Sequence, residues 1–200
     1  MNGGQFTRKA QEAILSAQNI AQEKGQQQVD ALHLLYALLT QEESVVLNLL
    51  LRIGVDVEGL KKKVAQSLGR IPTIVTPQSF GQFYLTQDMA KVLERARQEA
   101  MKMGDEFVSV EHLFLALLDT QTRAKEVLEK AVFLRSEIKG PGNLDIGKLD
   151  YDTALKHLAQ IRGGQRITDP EPESKYQVIE KYARNLSLIH ISEPTRPLYI

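Results

Sequence analysis

The sequence predicts an all-α protein in which two pseudo-symmetric four-helix repeats form one compact domain, followed by a linker and a further helix. Three observations support this fold class. Residues 6–53 and 85–132 repeat one pattern at an offset of 79 residues, apolar positions recur every three to four residues, and capping residues and glycines bracket the periodic segments. Tandem copies bury a continuous core by packing against each other, so we expect a groove between the two repeats.

The positions that keep their identity between the repeats are mostly apolar or small, which is the pattern of a shared buried face. The identical pairs are Thr7/Thr86, Ala17/Ala96, Ala21/Ala100, Gly25/Gly104, Val29/Val108, His33/His112, Leu34/Leu113, Ala37/Ala116, Leu38/Leu117, Leu39/Leu118 and Leu49/Leu128.

The first repeat contains four predicted helices, each opened by a residue that can cap free backbone N–H groups. Thr7 opens the first helix, which ends before Gly25, and Asp30 opens the second. Ser44 opens the third, and Asp56 opens the fourth. The stripe His-Leu-x-x-Ala-Leu-Leu in the second helix is too apolar for a solvent-facing helix, so this helix should lie in the core.

The second repeat follows the same plan, with helices opened by Thr86 and Ser109, until residues 133–148 interrupt it as a predicted inserted loop. A helix matching the fourth helix of the first repeat follows. A polar, Gly- and Pro-rich segment then predicts an interdomain linker. The resulting division is a first repeat with connector at 4–84, a second repeat at 85–162, a linker at 163–174, and a further helix at 175–186.

Composition disfavours several classes of function. Twenty-five basic and 25 acidic residues cancel, so the chain lacks the positive surface that nucleic acid requires. The absence of cysteine excludes disulfides and thiolate metal sites and agrees with a reducing compartment. With neither a secretory signal nor a long apolar run, we expect a soluble cytoplasmic protein without membrane association.

The chain shows no catalytic constellation, and we expect neither an enzyme nor a cofactor or metal site within it. Gly142 to Lys148 reproduces most of a phosphate-binding loop, but Leu149 stands where Ser or Thr should bind magnesium. A small nucleotide-binding enzyme built on this loop remains an alternative. His33 and His112 occupy equivalent positions and are interpreted as locally satisfied core histidines.

Two motifs carry a family resemblance. Residues 104–113, GlyAspGluPheValSerValGluHisLeu, and residues 162–176, ArgGlyGlyGlnArgIleThrAspProGluProGluSerLysTyr, together with the duplicated unit, resemble the N-terminal repeat domain of Clp-type chaperone ATPases. The resemblance covers about residues 4–186. The second motif joins the domain end to the linker, and it is more similar to the ClpB branch than to ClpA or ClpC.

The resemblance implies a mobile substrate-receiving domain tethered to a hexameric ring that uses ATP to unfold aggregated protein. ATP and magnesium would bind in ATPase modules absent from this chain. The expected partners are unfolded or aggregated clients and adaptor proteins, and this chain alone should be a monomer. The alternatives are a stand-alone Clp-repeat adaptor and a regulatory subunit of an ATP-dependent protease of the ClpA or ClpC type.

Six residues are candidates for substrate binding. The resemblance implies roles for Thr7, Asp105 and Glu111, whose simplest alternatives are an N-cap and two solvated acids at a helix start. Removing both carboxylates should then leave folding nearly intact. Flexible apolar side chains suit an irregular client, and the fifth helix offers three that could equally belong to the core. These are Met89, Leu93 and Met101.

Residues 187–200 look like the in-frame translation of a sequencing adapter, and they begin where the family would continue into its first ATPase module. We therefore expect that the gene product was truncated near residue 186.

Overall fold

The computed structural model describes residues 6–73, 83–134 and 149–172, and within them the protein is helical apart from two two-residue strands. This confirms the predicted all-α class. The further helix at 175–186, the tail at 187–200 and most of the predicted insertion, residues 135–148, lie outside the described residues. The elements in chain order are α1 (Arg8–Glu23), β1 (Gln28–Val29), α2 (Ala31–Thr40), α3 (Val45–Ile53), α4 (Val57–Leu68), β2 (Tyr84–Leu85), α5 (Gln87–Met103), α6 (Val110–Asp119), α7 (Arg123–Glu129) and α8 (Tyr151–Arg162).

The helices begin at the capping residues that the sequence predicts. Thr7 Oγ1 accepts a hydrogen bond from Ala10 N at 3.3 Å, and its repeat partner Thr86 accepts one from Met89 N at 3.1 Å. Each hydroxyl satisfies a backbone donor that has no partner within its own helix, which stabilises the helix by about 1 kcal/mol.

The core is centred on α2 and α6, the equivalent second helices of the two repeats. Nearly every side chain of α2 and of α6 is buried, and each of these helices contacts the other and helices of both repeats. Leu38 and Leu117 are both fully buried. The two repeats therefore share one hydrophobic core.

The segment that leads into each repeat pairs with the other repeat. In β1 and β2, Val29 is in parallel register with Leu85, and the equivalent pair is Phe6 with Val108. Thr86 N donates to Val29 O at 3.0 Å, and Thr7 N donates to Val108 O at 2.9 Å. This reciprocal exchange fixes the pseudo-twofold arrangement, and its pairs are too short to produce a period-two sequence pattern.

A further pairing joins the repeats beyond α3 and α7. Val55 forms an antiparallel bridge with Phe133, and Leu134 N donates to Gly54 O at 2.8 Å. Phe133 and Leu134, which the sequence analysis placed at the start of the insertion, thus belong to the inter-repeat contact.

Residues 163–172, which we call the strap, lie against both repeats. Ile167 is fully buried, and its carbonyl accepts a hydrogen bond from Glu106 N at 2.9 Å. Farther along, Pro170 O accepts one from Arg8 N at 2.9 Å. The sequence predicted a linker here because the segment is polar and rich in Gly and Pro. Its described part is instead docked, because one apolar side chain and the backbone find partners on the domain.

Candidate binding site

The structure brings Thr7 close to the other two polar candidates, Asp105 and Glu111, although it lies about 100 residues before them in the sequence. Thr7 pairs through its backbone with Val108, which lies between Asp105 and Glu111. The reciprocal exchange of leading segments is the cause, since it places the start of α1 on the loop between α5 and α6. We call residues 104–109 the α5–α6 loop.

Thr7 is fully buried, and its hydroxyl caps α1. Thr7 is therefore an N-cap, which is the structural alternative considered for it in the sequence analysis. A buried hydroxyl contacts a partner only if the surrounding backbone moves.

Asp105 and Glu111 form a buried ionic cluster with Arg162 at the end of α8. Arg162 Nη1 lies 2.9 Å from Asp105 Oδ2, and Arg162 Nε lies 3.2 Å from Glu111 Oε1. Both carboxylate side chains are 1 % exposed. The expectation of solvated acids is wrong, because the two acids and Arg162 neutralise one another where water is excluded. Removing both carboxylates would leave Arg162 buried without a counter-charge, so folding should not remain intact.

The cluster extends to a histidine and to the strap. His112 Nε2 lies 3.0 Å from Asp105 Oδ2, and Ile167 N donates to Asp105 Oδ1 at 2.8 Å. Ser109 donates its hydroxyl proton to Glu111 Oε2. The carboxylate of Asp105 thus joins the α5–α6 loop, helices α6 and α8, and the strap.

The interactions within this cluster shift the pKa of Asp105 and of Arg162. Burial raises the pKa of Asp105, but the hydrogen bonds from His112 and Ile167 N–H and the charge of Arg162 outweigh it, and the pKa lies below its usual value. Burial lowers the pKa of Arg162, yet Glu111 and Asp105 overcome this and raise it. Asp105 and Arg162 are therefore both charged at neutral pH.

His33 and His112 are helix caps, as the sequence analysis expected of locally satisfied histidines. His33 Nδ1 accepts from Asp30 N at 2.9 Å, and His112 Nδ1 accepts from Ser109 N at 3.0 Å. Among the described residues, no group of three or more His, Cys, Asp or Glu side chains could hold a metal ion.

A cleft of about 280 Å³ opens beside the ionic cluster. Its apolar walls include Met103, Leu155 and Leu158, and Arg162 with both carboxylates also lines it. The strap contributes residues 164–166. Any group that enters the cleft would meet the apolar walls and the groups that hold the strap.

The three apolar candidates on α5 lie in different environments. Met89 is fully buried, so it belongs to the core and presents no surface to a partner. Leu93 is half-buried against the core, whereas Met101 is 74 % exposed. The helical period separates them, because positions 89 and 96 face α6 while position 101 faces away.

Three features of the domain were not predicted from the sequence. Phe6 lies against the guanidinium of Arg97, with 5.6 Å from Arg97 Cζ to the ring centroid, and this contact depends on the exchanged leading segment. The role of Arg162 was missed although it opens one of the family motifs. The third feature is a set of exposed large apolar side chains, namely Leu15, Leu51, Tyr84, Leu85, Val132 and Leu134.

Across the described ranges, none of the helices taken singly is both long and apolar enough to cross a membrane, although α2 and α3, bent by 86°, pass that test as a pair. Both helices have their apolar faces buried in the core.

Fold and site together define an all-α tandem-repeat domain with a cleft beside a buried ionic cluster. A family model described as the Clp repeat (R) N-terminal domain matches residues 5–131, and the chain belongs to this family. Chaperone protein ClpB of Bacillus cereus is 34% identical, and that of Nitratidesulfovibrio vulgaris is 36% identical; each comparison covers 93% of this chain and 20% of the relative. The chain thus spans about one fifth of the length of these relatives.

A solved structure, the Hsp104 N-terminal domain from Candida albicans, superposes with a TM-score of 0.67 at 24% identity, covering 84% of this chain and 99% of that one. This likeness supports the fold. The family model, by contrast, confirms the family resemblance predicted from the sequence.

Proposed function

We propose that this chain is the partner-binding N-terminal domain of an ATP-dependent protein disaggregase or unfoldase of the ClpB type. Membership of the Clp repeat family and the chaperone relatives support this proposal. ATP and magnesium would bind in modules beyond residue 186, so this chain itself would need no cofactor. The parent protein would be a cytoplasmic hexamer, and its clients would be unfolded or aggregated proteins, delivered directly or by adaptors.

The observation that supports the binding role best is an apolar surface on the solvent side of α5. Leu93 is half-buried one helical turn before Arg97, which lies over Phe6, and Met101 extends 74 % exposed from the last turns of the same helix. Unfolded clients present apolar side chains in no fixed order. A weak receptor for them needs adaptable apolar area with charged groups around it, and Leu, Met and Phe beside an arginine provide that combination.

In this proposal Thr7, Asp105 and Glu111 act indirectly. All three are buried, so they would influence binding by fixing the α5–α6 loop and the start of α1, on which Phe6 depends. They are positioning residues, and Leu93 and Met101 make the contact with the client.

A second candidate is a regulatory subunit of an ATP-dependent protease or a stand-alone adaptor with the same repeats. The fold does not distinguish the branches, since a structure named as the ClpD N-terminal domain from Arabidopsis thaliana has a similar fold, with a TM-score of 0.55 at 17% identity over 82% of this chain. The uninterrupted gene beyond residue 186 would separate the stand-alone adaptor from the other candidates, because only a chaperone or protease subunit continues into ATPase modules.

The test is a double substitution, Leu93→Gln with Met101→Gln, in the chain as it stands. Because both side chains present apolar area to solvent, we expect the affinity for a permanently unfolded model protein to fall about tenfold, which is about 1.4 kcal/mol. Fluorescence anisotropy with labelled, reduced and alkylated lactalbumin measures it.

The matched control is Lys91→Gln with Gln98→Lys, which changes exposed positions on the same helix without removing apolar area or altering the net charge. The control should bind within about twofold of the unaltered chain. Equal binding by both double variants would remove α5 from the proposed client site.

A further inference from the structure

The strap and the residue that precedes it are held to the domain at three places. Before the strap begins, Arg162, the last residue of α8, is fixed by Asp105 and Glu111. In the middle of the strap, Ile167 is fully buried and forms two backbone hydrogen bonds to the α5–α6 loop, one through Asp105 Oδ1 and one through Glu106 N. These contacts belong to the second repeat.

The last attachment belongs to the first repeat. Arg8 N donates to Pro170 O at 2.9 Å, and Arg8 Nη1 lies 3.0 Å from Glu171 Oε1. Both side chains of this ion pair are mostly exposed, so it contributes little to holding the strap. The main attachment is therefore Ile167 with Asp105.

The path of the strap depends on glycine. Gly163 and Gly164 have φ values of +58° and +81°, in the left-handed region, and together they turn the chain from the end of α8 back towards the α5–α6 loop. Gly104 has φ +71°, which also favours glycine, and a Cβ atom there would be in ordinary contact, at 3.6 Å, with the guanidinium carbon of Arg166, so the Arg166 side chain lies against the loop.

We infer that the strap acts as a latch. When the strap is docked, the tether to any following part of the protein begins at residue 172. When the strap is released, this tether begins at residue 163. Ten residues of extended chain reach about 33–36 Å, so release enlarges the volume that the domain can search. A longer tether lowers the effective concentration of the domain near its attachment point. Asp105 is the positioning residue that sets the balance between the two states.

The cleft connects this latch to binding. Residues 164–166 and Arg162 line the cleft and also belong to the strap or its anchor. A group that fills the cleft in the docked state is bound by both α8 and the strap, so its binding would favour docking. This inference concerns the domain alone and holds whether or not the chain binds unfolded clients.

Trypsin can report on the latch, because the strap contains the bond between Arg166 and Ile167. The first repeat supplies a reference bond in the same chain, between Arg70 and Ile71, where Ile71 is also nearly buried and follows the last helix of its repeat. When opening is fast relative to cleavage, the cleavage rate follows the population of the open form. Each rate is divided by the rate at the same bond of the same variant in denaturing urea, which removes the effect of the local sequence on cleavage. The ratio of the two normalised rates then measures opening of the strap specifically.

Two substitutions test the latch, one on the domain and one on the strap. Asp105→Ala removes the acceptor of Ile167 N–H, and Ile167→Ala removes the buried side chain while leaving the ionic cluster intact. Because a hydrogen bond to a charged group and a buried Ile side chain each stabilise strongly, we expect each variant to raise the rate at Arg166–Ile167 at least about tenfold. The rate at Arg70–Ile71 should change by less than about twofold, and Arg8→Gln should leave both rates within about twofold.

The experiment separates the outcomes as follows. If Asp105→Ala raises the cleavage rates at both bonds equally, this substitution has destabilised the whole domain. The test of the latch then depends on Ile167→Ala. The inference is overturned if Ile167→Ala leaves the rate at Arg166–Ile167 unchanged, or if the unaltered chain is cut there as fast as in denaturing urea.

Discussion

The loops that precede α2 and α6 have equivalent positions but different chemistry. In the first repeat, His33 Nε2 lies 2.7 Å from Gln26 Oε1, and Gln26 Nε2 donates to Leu68 O at 2.9 Å and to Ile71 O at 3.1 Å. In the second repeat, His112 pairs with Asp105, which takes the place of Gln26 at the offset of 79 residues. The histidine cap is conserved between the repeats and its partner is not.

The difference shows how one residue decides what holds the segment after the last helix. A neutral amide can donate, so Gln26 binds the carbonyls of Leu68 at the end of α4 and of Ile71 in the segment that follows. A carboxylate can only accept, so Asp105 binds a backbone N–H of the strap and needs the positive charge of Arg162 to be stable in the interior. The same scaffold thus holds one connector by neutral hydrogen bonds and the other by an ionic cluster.

The largest expected effect comes from breaking the ionic cluster. Arg162→Ala should lower the free energy of unfolding by about 3–5 kcal/mol, because it leaves Asp105 and Glu111 buried without a counter-charge. The matched substitution in the first repeat, Gln26→Ala, should lower the free energy of unfolding by about 1–3 kcal/mol, because the groups that it leaves without a hydrogen-bond partner are neutral. Urea unfolding at pH 7, followed by circular dichroism, measures both. If Arg162→Ala destabilises the protein no more than Gln26→Ala does, the difference in charge between the two loops does not contribute to stability.

The next effect should be equal in the two repeats. Leu38→Ala and Leu117→Ala should each cost about 2–5 kcal/mol, since both side chains are fully buried at equivalent positions of α2 and α6. The same unfolding measurement applies, with Lys62→Ala on the exposed side of α4 as the control, expected within about 0.5 kcal/mol of the unaltered chain. A large difference between the losses of stability in the two leucine variants would mean that the two repeats contribute unequally to the core.

The smallest effect is a difference in pH dependence. Burial lowers the pKa of His33 below its usual value of about 6.5; Asp30 opposes this, and the charges of Lys24 and Arg123 add to it. Because the folded pKa lies below the unfolded one, the unfolded chain binds the proton first, and stability falls as the pH drops below about 6.5.

The depressed pKa of Asp105 acts at lower pH. Its contribution to stability is present above its usual value of about 3.8 and is lost as the pH falls through the folded value. The first repeat should therefore weaken in mild acid and the ionic cluster only in strong acid.

Free energies of unfolding at pH 7, 6 and 5 test the contribution of the first repeat. His33→Gln keeps a capping-box side chain that cannot titrate, so the decrease in stability over this range should become smaller. His157 is buried with a lowered pKa as well, and His157→Gln provides the reference for a histidine outside the two loops. A slope in His33→Gln equal to that of the unaltered chain would exclude His33 as a source of the acid sensitivity.

The helices and their order could be predicted because their causes are local. Thr7, Asp30, Ser44 and Asp56 each precede an apolar stripe with a period near 3.6, and the structure begins a helix after each. The candidate site was predicted less completely. Asp105 and Glu111 were found through the family motif, but their burial depends on Arg162, which reaches them from a helix some 50 residues away in the chain.

The sequence by itself determined the repeat, the helical period, the caps and the family, because these depend on residues near one another in the chain. Only the tertiary structure decided that the leading segments exchange between repeats, that two acids are buried as an ionic cluster, and that a polar segment rich in Gly and Pro docks as the strap. These features arise from contacts between distant residues, where burial and pairing change what a side chain does, and the identity of a residue does not reveal which partner it will meet.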